Sequence, residues 1–137
     1  MTLLEPQREG IPLPRPTPVT QPFWDGCAAG RLLFQRCNRC GAAQFNPAPL
    51  CRVCTGSEFT WEESAGRGTV YSYTIAWRPQ SPRFTTPYAP VIVDLDEGVQ
   101  ILSNVIRCSV EDVHVGMRVT VEFVPVATVT LPYFRPV

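Results

Sequence analysis

Two close cysteine pairs, Cys37-Asn38-Arg39-Cys40 and Cys51-Arg52-Val53-Cys54, are separated by ten residues and constrain this 137-residue chain more than any other feature. A Cys-x-x-Cys turn brings both sulfurs to one side of a tight backbone bend, so two such knuckles can close a tetrahedral shell around one metal ion. Gly41 directly follows the first pair and supplies the positive φ that such a turn tends to need. A ribbon of about 30 residues buries too little apolar surface to fold by itself. Structural zinc contributes roughly 10–16 kcal/mol of apparent binding free energy, comparable to or larger than the net stability of a typical domain. The spacing therefore predicts a structural Zn2+ held by Cys37, Cys40, Cys51 and Cys54, with iron as the alternative that the same four-sulfur shell accepts. Four thiolates also leave no open position at which a metal could activate water.

Formal net charge is zero, and all twelve basic residues are arginines spread from Arg8 to Arg135 without a dense run. The absence of lysine excludes Schiff-base chemistry, and the dispersed charge is a weak footprint for a general nucleic-acid binder. Met1–Pro6 offers neither a basic n-region nor an apolar h-region, and no later run approaches 18 apolar residues. The expectation is a cytoplasmic protein that does not enter membranes. In that reducing setting the knuckles bind metal in preference to forming disulfides, and Cys27 and Cys108 serve as small buried apolar residues.

From Glu5 to Pro22 six prolines bias the backbone to extended conformations, which fits either a disordered tail or a strap that orders on a partner. Thr20 to Gly30 reads as a short helix with Pro22 in its first turn and glycine at its end. Its stripe of Phe23, Trp24 and Cys27 packs on the ribbon or faces another subunit. Leu32–Arg36 and Ala43–Phe45 flank the first knuckle as a hairpin, and Glu58–Glu63 closes the ribbon by alternation. At Gly66-Arg67-Gly68 the composition shifts to longer β-type segments. Thr69–Trp77 reads as one strand, followed by a proline-rich loop from Arg78 to Pro90. Val91–Leu95 and Val99–Ile106 form a hairpin about Glu97-Gly98, and Ser109–Val113 makes a helical turn capped by Ser109. Arg118–Val124 pairs with Thr128–Tyr133. The expected architecture is mostly β: a proline-rich arm and helix in residues 1–30, a zinc ribbon in 31–65 and a five-stranded OB-type barrel in 66–137.

In this order the segments resemble a known family. Phe23-Trp24, Gly30-Arg31-Leu32, both knuckles, Gly66 to Tyr73, Pro87-Tyr88, Leu95 to Gly98, Val115 to Val119 and Leu131 to Pro136 carry the resemblance. The chain is similar to the zinc-ribbon OB-fold proteins associated with acyl-CoA metabolism, the family of domain of unknown function number thirty-five. That resemblance implies a helical arm, a rubredoxin-like ribbon and an OB-fold. It also implies service as a non-catalytic accessory subunit of a thiolase-superfamily enzyme, such as one that shortens steroid side chains by retro-aldol cleavage of an acyl-CoA. Phe23, Trp24 and Phe134 are the residues expected to meet such a partner.

Two further readings come from the residues themselves. Arg78 and Arg83 could meet phosphate, with Trp77, Phe84 or Tyr88 against adenine or a pantetheine arm, making the chain an acyl-CoA binder in its own right. Tyr71, Tyr73 and Trp77 could instead stack single-stranded nucleic acid, although zero net charge opposes it. His114 stands alone beside a turn, and the Asp94, Asp96 and Glu97 carboxylates are adequately explained by hairpin chemistry.

Overall fold

Strand β5, Ala89–Leu95, shows most simply how the sequence builds the barrel: Ala89, Val91, Val93 and Leu95 point inward and are buried, while the residues between them face out. The computed structural model describes residues 2–137. Helix α1 spans Gln21–Ala28, and the ribbon strands are β1 (Leu32–Cys37), β2 (Ala43–Gln44) and β3 (Phe59–Ser64). The remaining barrel strands are β4 (Arg67–Tyr73), β6 (Gln100–Val105), β7 (Arg118–Val126) and β8 (Val129–Pro136), with a 3-10 turn at Val110–Asp112. The ribbon sheet runs β2-β1-β3, and the second sheet closes as a barrel in the order β4-β5-β6-β8-β7. The expected five-stranded OB-type barrel with its helical turn between third and fourth strands is present.

Closure needs tight coiling at the start of β4, and Gly68 permits it. A Cβ there would lie 2.4 Å from the Asp94 carbonyl oxygen, so only glycine admits this approach of β5. At the opposite seam, β6 and β8 run parallel and share a single register pair, Val105 with Phe134. Pro132 has no N–H to extend that ladder, and its carbonyl instead accepts the Ser103 hydroxyl at 2.6 Å.

Ribbon and barrel share one core. Phe23 and Cys27 of α1 pack with Leu32 and Phe34 of β1 and with Phe134 of β8 in a continuous cluster. Burial pushes the Cys27 thiol up to about 12, as expected of a packing residue. The joint between the modules is fixed by Glu97, whose carboxylate accepts the Ser64 hydroxyl at 2.6 Å and the Ala65 N–H at 2.8 Å.

Three sequence expectations change. The arm is neither a loose tail nor a free strap: Leu4 is buried, its N–H donates to the Cys108 carbonyl at 2.8 Å, and Leu3 bridges Ser109 on the chain's own barrel. The Thr69–Trp77 segment is regular strand only to Tyr73, with a register shift that makes Tyr71 an extra residue opposite β5, and it continues beyond Tyr73 as an isolated bridge of Ala76 with Tyr88. Ser109 makes no side-chain cap; its hydroxyl donates to the Glu111 carboxylate.

Glu97→Ala removes both carboxylate bonds at the joint. We expect a loss of about 1–3 kcal/mol in urea unfolding, by the usual cost of hydrogen bonds to a charged group, with faster amide exchange at Ala65. Unchanged exchange there would mean that the shared core alone fixes the joint.

Candidate metal centre and adjoining groove

The knuckles converge as their spacing requires. Cys37 Sγ lies 3.5 Å from Cys54 Sγ and Cys40 Sγ lies 3.6 Å from Cys51 Sγ, with all four sulfurs within 4.8 Å of one another. A tetrahedral zinc with Zn–S bonds of about 2.3 Å has sulfur–sulfur edges of about 3.8 Å, so the donor set fits such an ion. Each knuckle turns through a left-handed residue, Gly41 at φ 80° in the first and Thr55 at φ 62° in the second. The N–H of Gly41 donates to the Cys37 carbonyl at 3.0 Å, and that of Thr55 to Cys51 at 3.0 Å.

Backbone N–H groups aim at the sulfurs. The Cys40 N–H, followed by burial and the Arg39 N–H, sets the Cys37 thiol, which is lowered to about 6. The Cys54 and Val53 N–H groups likewise lower Cys51. The Ala42 N–H favours the Cys40 thiolate, but burial and the three neighbouring sulfurs outweigh it and push that thiol up to about 11. Four convergent sulfurs with backbone N–H groups directed at them are a donor set suited to a cation. The four ribbon cysteines are thus placed to hold a structural metal ion.

Sequence reasoning missed what holds the second knuckle against the first. Gln35 and Gln44 are buried, and the Gln44 amide donates to the Gln35 side-chain oxygen at 2.9 Å. Gln35 then exchanges both bonds with the Ala48 backbone at 3.0 Å, and the Gln44 oxygen accepts the Arg52 N–H at 3.1 Å. These two side chains replace a strand that the Pro47 to Pro49 linker cannot form. The available signal was glutamine on the inward side of β1 and again in β2.

Beside the ribbon, the β6–β8 seam opens into a groove of about 440 Å³, roofed by the arm and walled by α1. Phe84 and Tyr88, expected at a ligand site, line it with ring centroids 6.0 Å apart. Trp77, Arg78 and Arg83 do not; they stand exposed on the neighbouring hairpin and loop. Of the residues expected to meet a partner, Trp24 is half-buried in the groove wall. Phe23 is 4% exposed, holding Trp24 and Phe45 edge-on at the base of the groove, and Phe134 is fully buried, so both are chiefly packing residues. Asn104 also lines the groove, and its Oδ1 is buried without a partner among the described residues. The Ser103-Asn104 pair between the apolar Leu102 and Val105 was the sequence signal for it.

The carboxylates have structural partners. Asp96 receives two bonds from Arg118 at 2.8 and 2.9 Å, which hold it below the usual carboxylate range, and Asp94 accepts from Gln100 at 2.7 Å. His114 is exposed, with Nδ1 2.8 Å from the Asp112 carbonyl. No helix among the described residues is long and apolar enough to cross a membrane.

One equivalent of zinc and a colourless protein are expected by elemental analysis, whereas a red protein would point to iron. Protons compete with metal for sulfur, so the ion is held at neutral pH and released as the pH falls. Its removal is expected to expose the amides of β1 to β3 first, read by hydrogen exchange. Gln44→Ala should weaken metal retention against a chelator without adding or removing a ligand.

Residues 24–61 match the family described as "ChsH2, rubredoxin-like zinc ribbon domain", and residues 61–124 match "ChsH2, C-terminal OB-fold domain". A "Probable enoyl-CoA hydratase alpha subunit" of Thermomonospora curvata is 34% identical over 116 residues, covering 83% of this chain and 36% of that protein. The chain thus spans about a third of that relative's length. A "DUF35 domain-containing scaffold protein" of Methanocaldococcus jannaschii is 33% identical over 94 residues, 67% of each chain. Among solved structures, a chain of the "Ltp2-ChsH2(DUF35) aldolase" superposes with a TM-score of 0.83 at 31% identity, covering 90% of this chain and 98% of that one. With both modules matched in order and their four thiolates in place, the chain belongs to the DUF35 family of ChsH2-type zinc-ribbon OB-fold proteins.

Proposed function

We propose that this protein is a non-catalytic accessory subunit that binds and stabilises a thiolase-superfamily enzyme acting on an acyl-CoA. The observation that carries this reading is the likeness to a chain of the Ltp2-ChsH2(DUF35) aldolase, which extends over 98% of that chain. The scaffold proteins among its relatives favour the same role. The chemistry of the chain agrees with it. A closed four-sulfur shell offers a metal no substrate position. Asp94, Asp96 and Glu97 are engaged in hydrogen bonds that maintain the barrel and its joint. The protein would work in the cytoplasm, where reducing conditions keep the ribbon thiols available to zinc.

The groove favours a second role within the same complex. Its apolar walls, which include Phe84 and Tyr88 of the Arg78 to Pro90 loop, suit the entrance of an acyl-CoA. Independent acyl-CoA binding is the alternative function. Single-stranded nucleic acid fits less well, because the chain has no net positive charge.

Co-expression with the partner enzyme is expected to give a stable hetero-oligomer by light scattering, and the enzyme alone to be insoluble or inactive. Separate elution with full activity in the enzyme alone would defeat the accessory role. Titration calorimetry of the isolated protein with an acyl-CoA separates the alternative: heat without the enzyme supports independent binding, and its absence removes it.

A further inference from the structure

The first barrel strand has a neighbour on only one side beyond Val70. β7 pairs with β4 at Arg67, Gly68 and Thr69. The loop before β7 then reaches Val70, whose N–H donates to the Met117 carbonyl at 3.0 Å and whose carbonyl accepts the Gly116 N–H at 2.9 Å. From there to Trp77 the chain pairs with β5 and the residues leading into it. Thr74 N–H donates to the Pro90 carbonyl at 3.0 Å, and Ala76 and Tyr88 exchange both backbone bonds at 2.8 and 3.2 Å. Successive residues of an antiparallel pair direct their backbone groups to opposite edges. With Thr74 and Ala76 turned toward β5, the N–H and C=O groups of Tyr73, Ile75 and Trp77 face the other edge, where β4 has no register partner.

Open edges in natural sheets are usually shortened, charged or covered, because a row of free backbone groups templates pairing with another chain. This one instead carries aromatic surface: Tyr71, Tyr73 and Trp77 are 57%, 41% and 61% exposed. The segment that forms it is also one-signed. From Arg67 to Val93 the chain contains Arg67, Arg78 and Arg83 and no acidic residue. Among the described residues, Arg78 and Arg83 take part in none of the ion pairs that engage Arg31, Arg36, Arg107, Arg118 and Arg135.

We propose that the edge from Tyr73 to Trp77 docks an extended acidic segment of a partner polypeptide, which adds a strand beside β4. For the identity of the partner this rests on the accessory reading above. Backbone complementarity favours a polypeptide over nucleic acid, because alternating outward N–H and C=O groups are met in register by another strand. Charge argues against a second copy of this chain, since two such edges would bring arginines together with no acid between them. An acidic segment satisfies the backbone and Arg78 and Arg83 together.

The test uses the full-length, metal-loaded protein and two fluorescein-labelled octapeptides, one alternating glutamate with valine and one alternating lysine with valine. The glutamate peptide is expected to bind and to slow amide exchange at Tyr73, Ile75 and Trp77 by about tenfold or more, and the lysine peptide not to bind. Reversing both exposed charges, Arg78→Glu with Arg83→Glu, should weaken binding about tenfold, on the order of 1.4 kcal/mol. Ile75→Pro removes an outward N–H without deleting a bond to β5 and should abolish protection. Failure of the glutamate peptide to bind overturns the proposal, as does equal binding of both peptides. So does an oligothymidylate that binds in its place while the three amides exchange unchanged. A complex with the partner enzyme in which those amides exchange at the free-chain rate overturns the docking edge and leaves the accessory role standing.

Discussion

Four sulfurs within 4.8 Å of one another cannot all carry charge without a cation between them, and the ribbon depends on that compensation. Its two-residue strand β2 and its proline-bearing linker contribute little regular pairing of their own. The buried Gln35 and Gln44 amides pin the linker, but they act on a backbone that the knuckles must first bring into place. A metal ion held there would couple its binding to the folding of the ribbon.

Once folded, the ribbon does not move as a separate bead. β1 contributes Leu32 and Phe34 to the same core that holds Val93 and Phe134 of the barrel, and α1 lies over both. Glu97 locks the short link between β3 and β4 from the side of the barrel hairpin. The arm closes the circuit: Gln7 exchanges two side-chain bonds with the Thr85 backbone at 2.9 and 2.7 Å, and its own N–H donates to the Tyr133 hydroxyl at 3.1 Å. The result is a rigid frame in which the surface loop from Arg78 to Pro90 is held at both its base and its middle.

What the sequence made legible follows from how local each signal is. The four-cysteine cluster could be read because a knuckle is a four-residue geometry, and the barrel because Ala89 to Leu95 alternates residue by residue. Phe23 and Phe134 were misread because an aromatic residue looks the same whether it fills a core or a partner's pocket; only the crossing of α1 over β8 decides it. The arm was unreadable because proline reports an extended backbone and says nothing of what it lies on. Leu4 finds its place through Cys108, a contact across a hundred residues that no window of sequence contains. The Asn104 position in the groove was visible only as a polar interruption, and its meaning depends on Pro132 opening a seam in another strand.

The groove and the free edge meet in one short hairpin. Tyr88 lines the groove with its side chain and pairs through its backbone with Ala76, whose neighbours Ile75 and Trp77 present the open edge. Phe84 reaches the groove from the loop that carries Arg78 and Arg83. A strand added at the edge would therefore lie one backbone away from a wall of the groove, joined to it by the Ala76 and Tyr88 pairing. The pairing of Ala76 with Tyr88 is the backbone link between the edge and the groove, and it lies apart from both the four-cysteine cluster and the barrel core.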